Sequence, residues 1–169
     1  MVSLVRRSGE RGAAAVEFAL VMPILFLLVF GILQYGLWFN DSLNTRQGVR
    51  EGARLGVVGD FTTEGTCSGT TLANIACKTV KRIDALTGTA YVKVRTETTT
   101  AGSWAKGKPL TVCALVKTNT PGLLPMPGDG WIFSKTQMSI EKATPAPASL
   151  TPVTSSALPS GAPSWPTGC

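Results

Sequence analysis

The order of apolar and polar residues separates one long apolar run from the rest of the chain. Residues 18–39 contain no charged side chain. At a rise of about 1.5 Å per residue, a helix of this length spans roughly 33 Å, enough to cross a hydrocarbon core of about 30 Å. Cleaved secretory signals have shorter apolar cores, about 7–15 residues, and end at a small-x-small site that is missing here. The pattern therefore predicts a retained membrane helix, with Tyr35, Trp38 and Phe39 at the level of an interfacial aromatic belt.

Helical spacing continues beyond this run. Two stripes recur every four residues on nearly opposite faces of the helix, one of arginines (Arg46, Arg50, Arg54) and one of glycines (Gly48, Gly52, Gly56). Each glycine inside a helix costs about 0.8–1 kcal/mol relative to alanine, so three in register indicate a surface for close packing. Two occupants of this glycine face remain open: the protein's own sheet domain and a helix of a partner subunit.

Residues 59–142 have the pattern of a small α+β domain. After a loop rich in Gly and Thr, apolar residues at helical spacing predict a helix over 71–87 that stops at Gly88. Three antiparallel strands are predicted, over residues 91–97, 110–118 and 131–141, with connections at 101–108 and 121–129. The second strand is apolar on both faces and is expected in the middle of the sheet. The expected fold class is α+β: a long transmembrane and stalk helix, then one short helix and a three- to four-stranded antiparallel sheet.

The last part of the chain differs from this domain in composition. Residues 143–169 contain six prolines, many Ser and Thr, and no charge. Such a segment buries too little apolar surface to offset the entropy of ordering, so it is predicted to be disordered or extended. It would act as a spacer through the cell envelope or carry O-linked sugars. The chain thus divides into a basic leader (1–12), a helix (13–58), a domain (59–142) and a tail (143–169).

The four cysteines all follow the membrane helix. They are Cys67, Cys77, Cys113 and Cys169. An even set on the extracytoplasmic side indicates disulfides, and the spacings match no zinc or redox motif. Three pairings are possible. We favour Cys67–Cys77, which links the loop to the short helix, and Cys113–Cys169, which anchors the tail; the alternative is four free thiols. A disulfide contributes typically about 2–4 kcal/mol.

The charged residues exclude several classes of function. The chain has 16 Lys and Arg, 10 Asp and Glu and no His, for a net charge of +6. The absence of histidine excludes Ser-His-Asp and Cys-His catalysis and histidine-containing zinc sites. No basic stripe with interleaved aromatic residues indicates nucleic-acid binding. The outward carboxylates are scattered and no phosphate-binding glycine loop is present, so we expect no enzyme, cofactor, metal or small-molecule substrate.

Glu17 is the exception to the apolar pattern. A carboxylate in a membrane helix costs up to about 2.5–3.5 kcal/mol at the bilayer centre and less near its edge. Snorkelling to the headgroups, or pairing with Arg11 or Arg7, would be sufficient reasons for it. The surrounding sequence favours another role, because a short basic leader ends in Gly12 and Glu17 is the fifth residue after that glycine.

This arrangement resembles the type IV prepilin signal, which an aspartyl prepilin peptidase cuts after the glycine. The stretch GAAAVEFALVMPILFLLVFGILQYG, with REGARLGVV after it, resembles the TadE-like family, the pseudopilins of tight-adherence (Flp) pilus systems. The resemblance covers about the first 58 residues. It implies cleavage between Gly12 and Ala13, and contact of Glu17 with the Ala13 amine of an adjacent subunit. Phe18 stands where major Flp pilins tend to have Tyr, which fits a minor pseudopilin better than the main filament subunit.

The resemblance also implies a function and partners. The function is structural, in the assembly of a tight-adherence pilus or a related secretion machine. The implied partners are membrane lipid, the prepilin peptidase, TadF- or TadG-like pseudopilins, other pilins and the pilus platform proteins. Arg6, Arg7 and Arg11 before the apolar run predict a cytoplasmic N-terminus and an extracytoplasmic domain. The alternative is a membrane-anchored binding or adhesion module unrelated to pili, for which Gly12 and Glu17 would be unnecessary.

Overall fold

A long helix leads into one small domain. The computed structural model describes residues 9–97, 104–119 and 124–169. The two helices are α1 (Gly9–Val57) and α2 (Leu72–Arg82), and the four strands are β1 (Gly88–Thr96), β2 (Pro109–Thr118), β3 (Trp131–Ser139) and β4 (Val153–Thr154). The strands form one antiparallel sheet in the order β3-β2-β1-β4. This is the α+β, pilin-like architecture expected from the sequence. The first eight leader residues and parts of the two predicted connections (101–103 and 121–123) lie outside the described residues.

The helix α1 has 49 residues and is therefore about 70 Å long. It ends at Val57 because Gly59 takes a left-handed conformation with φ 70°. This turn lets the backbone N–H of Asp60 donate to the carbonyl oxygen of Leu55 at 3.0 Å, which satisfies one of the last carbonyls of the helix. The end of α1 is thus one residue before the predicted boundary.

One face of the sheet packs against both helices and forms the core. The C-terminal part of α1, α2 and the even-numbered residues of β2 supply the central side chains. The fully buried members include Val49, Ala53, Leu72, Ile75, Ala76, Val92, Val94, Leu110, Val112, Ala114 and Val116. The prediction that β2 is central is confirmed, since it pairs with β1 on one side and with β3 on the other.

The helix α2 is shorter than the sequence predicts. It ends at Arg82, and Gly88 starts β1 instead of stopping a helix. The intervening backbone bonds to α1: Asn44 Nδ2 donates to the carbonyl oxygen of Asp84 at 2.9 Å, and the Leu86 N–H donates to Asp41 Oδ1 at 2.9 Å. Those polar groups are satisfied without a further helical turn. The prediction of a helix through residue 87 is therefore wrong.

The tail is ordered, so of the two states predicted for residues 143–169, disordered or extended, the disordered one is wrong. Val153 and Thr154 add the fourth strand to the edge of β1, and the Ser155 N–H donates to the Val92 carbonyl oxygen at 2.7 Å. At the other end, Cys169 is joined to Cys113 on the sheet face opposite the helices. The covalent bond restricts the tail to the sheet, and this face of β2 is buried beneath it.

The second disulfide, Cys67–Cys77, ties the loop before α2 to that helix with a Cα–Cα distance of 5.6 Å. Both are the pairs favoured from the sequence.

Candidate membrane and assembly interface

The N-terminal half of α1 is apolar and has almost no contact with the domain. Apart from half-buried Met22, the large apolar side chains from Val16 to Phe30 are between 44% and 71% exposed. The helix from Gly12 contains a window with a mean hydropathy of 2.6, of which only 6% is buried. It is the one helix, among the residues that the structure describes, with the length and composition to cross a membrane. Because exposed apolar surface of this extent is costly in water, the segment is suited to lipid or to neighbouring apolar helices.

The residues of the prepilin-like motif lie at the far end of this segment. Gly12, Ala13, Glu17 and Phe18 are all exposed on α1 and are remote from the folded domain. Phe18 is 62% exposed. A Cβ added at Gly12 would meet nothing within 4 Å. These four residues are close together because they are neighbours on one helix. Within the described residues their side chains contact no other element, and they are accessible to a partner.

The glycine face of α1 (Gly48, Gly52, Gly56) packs against other residues of the same chain. A Cβ on Gly48 would lie 2.5 Å from Ile83 Cγ1 and 2.8 Å from the Ile83 backbone nitrogen. A Cβ on Gly52 would overlap the side chain of Thr79 in α2, and one on Gly56 would overlap Leu110 in β2. Of the two occupants left open by the sequence, the protein's own domain is the one observed. Since the contact is mostly with α2, the glycines bring two helices of one chain into close packing.

The arginine face points outward. Arg46, Arg50 and Arg54 are exposed, and Arg54 makes a two-pronged contact with Glu51, with nitrogen–oxygen distances of 2.7 and 2.8 Å. The Arg54 hydrogen bond lowers the pKa of the Glu51 carboxyl below its usual range. Arg46 and Arg50 line a groove of about 400 Å³ together with Phe133 and Lys135 of β3. This groove is cationic, open to solvent and placed beside the edge strand of the sheet.

Asp41, absent from the sequence-based candidates, holds the middle of α1 to the domain. Its side chain is fully buried and accepts two hydrogen bonds from the α2–β1 connection, from the Leu86 N–H at 2.9 Å and from the Thr87 hydroxyl at 2.6 Å. In the sequence, Asp41 looks like one more polar residue after the membrane run. Only the buried donors opposite it reveal its role.

Gln34 and Tyr35 make a second unpredicted connection, within the apolar run itself. Gln34 Nε2 donates to the Leu124 carbonyl oxygen at 2.7 Å, and Gln34 Oε1 accepts the Leu124 N–H at 3.1 Å. The Tyr35 hydroxyl donates to the Pro125 carbonyl oxygen at 2.8 Å. Tyr35 and half-buried Trp38, predicted at the level of an interfacial aromatic belt, therefore contact this chain's own domain, whereas Phe39 remains 61% exposed.

A buried lysine ties α2 to the loop that follows α1. Lys78 is 1% exposed, and its ammonium group contacts Asp60 Oδ1 at 3.1 Å and the Asp60 carbonyl oxygen at 3.0 Å. A hydrogen bond from the Thr62 hydroxyl, and then the bond from Lys78, lower the pKa of the Asp60 carboxyl. An ammonium ion buried with these oxygen partners has its hydrogen bonds satisfied, and it holds the loop after α1 to α2. Within the part of the chain that the structure describes, no group of three or more cysteine or carboxylate side chains is placed to hold a metal ion.

The fold and this interface define a class of protein. One apolar helix, continuous with a disulfide-linked α+β domain of pilin-like arrangement, indicates a single-pass membrane protein. Residues 12–54 match the family model described as TadE-like protein, which confirms the resemblance drawn from the motifs. No curated protein and no solved structure matches the chain.

The family match covers the interface described above. It includes the exposed apolar half of α1, Glu17, and the glycine faces at Gly48 and Gly52. The TadE-like family is a family of pilus structure and assembly, not of enzymes. The family match and the apolar N-terminal helix fit a Tad pilus-associated membrane protein.

Proposed function

We propose that the chain is a minor pseudopilin that acts in the assembly of a tight-adherence pilus or a related secretion machine. The observation that carries the proposal is the division of α1 into an exposed apolar half with Glu17 near its start and a half that is built into the domain. The exposed half is available to membrane lipid before assembly and to other apolar helices during assembly. Phe18 supports a minor subunit over the main filament subunit.

In this proposal the protein is inserted with its N-terminus in the cytoplasm and is processed between Gly12 and Ala13. The basic residues of the leader favour that orientation, since Lys and Arg are retained on the cytoplasmic side. The two disulfides support an extracytoplasmic domain, because disulfides persist in oxidising compartments. Mass spectrometry of the membrane-bound protein tests the cleavage: a chain starting at Ala13 is expected, and one starting at Met1 or Val2 contradicts it.

Glu17 is proposed to contact the Ala13 amine of an adjacent subunit. Its carboxylate is exposed on α1, with no ion pair among the side chains that the structure describes. In a low-dielectric environment an unpaired charge is costly, so a pairing between subunits is directional and would set the axial register of two helices.

The substitution Glu17→Ala tests this function. We expect loss of pilus assembly with normal membrane levels and normal surface exposure of the domain. The control is Asp84→Ala, which removes an exposed carboxylate from the connection after α2, away from the arginine face, and which should assemble normally. Filaments that form with Glu17→Ala as they do with the natural chain would favour the alternative of a membrane-anchored binding module.

The partners in this proposal are other pilins or pseudopilins, of the TadF- or TadG-like kind, and the platform proteins. Because the chain's own α2 occupies the glycine face, a partner helix has access to the arginine face and its cationic groove instead. Cysteine crosslinking tests this assignment. We expect an intermolecular product from Arg50→Cys and none from Gly52→Cys, and the reverse result would contradict it.

A further inference from the structure

Another loop of this chain contacts the apolar segment of α1. If the hydrocarbon core begins after the charge of Glu17, its thickness of about 30 Å takes up about 20 residues, so it ends near residue 37. A tilted helix would extend the span further towards the C-terminus. The loop before β3 nevertheless meets α1 inside this stretch: Leu124 approaches Gly31, where a Cβ would lie 3.0 Å from Leu124 Cδ1, and it bonds to Gln34.

The chemistry of this loop tip suits an apolar solvent. The lipid core supplies no hydrogen bonds, so every backbone polar group there needs a partner within the protein. Leu124 has its N–H and its carbonyl oxygen bonded to the Gln34 amide. Pro125 has no N–H, and its carbonyl oxygen accepts from the Tyr35 hydroxyl. All three backbone polar groups of these two residues are therefore satisfied by side chains of α1.

The surroundings of the tip have the same character. Between Lys117 and Asp129 the chain carries no charge. An apolar groove of about 300 Å³ lies between the tip and α1, lined by Leu27, Leu28, Gly31, Ile32, Tyr35 and Leu124. At the same end of the domain, Leu86 is 68% exposed on the connection that bonds to Asp41. Two neighbouring loops thus carry apolar side chains at this end of the domain.

We propose that the loop tip Leu124–Met126 is inserted in the outer leaflet of the membrane, where acyl chains of phospholipid fill the groove beside α1. The inference rests on the proposed membrane insertion of α1 and adds a second point of contact. Two contacts with the bilayer fix the orientation of the domain, which a single helix leaves free to rotate about its axis. This proposal also explains a polar residue in an otherwise apolar segment. Gln34 forms the hydrogen bonds that the Leu124 backbone needs in lipid.

Label-quenching experiments on the full chain test this proposal. The four cysteines are all in disulfides, so a single introduced cysteine carries the only free thiol. Met126→Cys, Ile32→Cys and Lys106→Cys are each labelled with an environment-sensitive fluorophore and reconstituted in phosphatidylcholine vesicles with a nitroxide near the top of the acyl chain. Ile32 is 73% exposed on the membrane helix, and Lys106 is exposed at the opposite end of the domain.

We expect the label at position 126 to be quenched nearly as strongly as the label at position 32, and the label at position 106 to be unaffected. If position 126 behaves like position 106 while position 32 is quenched, the loop lies outside the lipid and this inference fails, although α1 is inserted. Protection of position 126 from both lipid and aqueous quenchers would assign the loop to a contact between copies of the chain and would also overturn it. If position 32 is not quenched either, the proposed membrane insertion itself fails.

A second variant tests the role of Gln34. Gln34→Leu leaves α1 apolar but removes both hydrogen bonds to the Leu124 backbone. We expect a clear loss of quenching at position 126, whereas the label at position 32, which lines the same groove on the helix itself, remains quenched. The control is Gln47→Leu, the same change on an exposed position of α1 beyond the membrane, which should leave both signals unchanged. Full quenching at position 126 with Gln34→Leu would show that Gln34 does not hold the tip in lipid.

Discussion

The two halves of α1 are one continuous helix in two different environments. The half from Gly12 to Phe30 has large apolar side chains all around and is exposed on every side, whereas the half from Asp41 to Val57 is buried along one face against α2 and the sheet. The first half has large apolar side chains that make few contacts with the rest of the chain. The second half carries small residues and a few polar groups, each opposite a particular neighbour.

This difference shows how a single element serves both a membrane and a folded domain. In lipid or in a bundle of helices, general apolarity is sufficient, because many arrangements bury the same surface. In the domain the position of α1 is specified by close approach at the glycines and by the buried acceptor Asp41. The stability of the domain half should therefore respond sharply to single substitutions, and the helicity of the membrane half should not.

The largest expected effect comes from removing the Cys113–Cys169 disulfide by the double substitution Cys113→Ala and Cys169→Ala. The bond closes a loop with a sequence separation of 56 residues. In the chain-entropy description such a loop contributes about 4 kcal/mol to the free energy of unfolding. Denaturant unfolding in detergent micelles, followed by near-ultraviolet circular dichroism, measures the loss.

The same experiment separates the halves of α1. Far-ultraviolet circular dichroism should show that helix content equivalent to the membrane half persists after the domain unfolds. The matched control removes Cys67 and Cys77, which close a loop with a separation of only 10 residues and should cost less, about 3 kcal/mol. If the membrane half lost its helicity together with the domain, the two halves would be one cooperative unit and the comparison would fail.

A smaller effect is expected from adding one methyl group to a glycine of α1. Gly52→Ala would place its Cβ into the Thr79 side chain, and overpacking of this kind costs about 1–3 kcal/mol. Gly36→Ala is the control, because a Cβ there meets nothing within 4 Å. It should leave domain stability unchanged and favour the helix by about 0.5–1 kcal/mol. Equal effects of the two substitutions on the midpoint of domain unfolding would mean that the glycine face is not a specific contact.

The sequence was sufficient to predict features that depend on local pattern. The apolar span, the three main strands and the central place of β2 follow from periodicity and from the number of apolar faces. The end of α2 could not be predicted in this way, because Ile83 and Leu86 continue the apolar spacing while the backbone there bonds to Asn44 and Asp41 of another helix. These contacts join residues about 40 positions apart and leave no local signal.

The tail and the candidate site illustrate the same limit. The composition of residues 143–169 predicts disorder, but one disulfide and a two-residue strand place this segment on the sheet. At the interface, the motif residues Gly12 and Glu17 were recognisable because they are neighbours in the sequence. Gln34 was not, since its role depends on Leu124, which is 90 residues away.

The smallest expected effect is a pH dependence that belongs to the domain alone. Because Thr62 and Lys78 hold the pKa of Asp60 below its usual value near 4, this contact stabilises the domain above that pH. The contribution should be lost as the pH falls through the lowered pKa. Since the Asp60 side chain is 33% exposed, we expect the contact to contribute less than about 1 kcal/mol to the free energy of unfolding.

Asp60→Asn should therefore lower the free energy of unfolding at pH 7 and have little effect well below pH 4. Denaturant titration at each pH measures this difference. The control Glu51→Gln removes a second carboxylate with a lowered pKa, which contacts Arg54 on α1, and should change stability less. An equal loss of stability from Asp60→Asn at pH 7 and well below pH 4 would contradict the assignment.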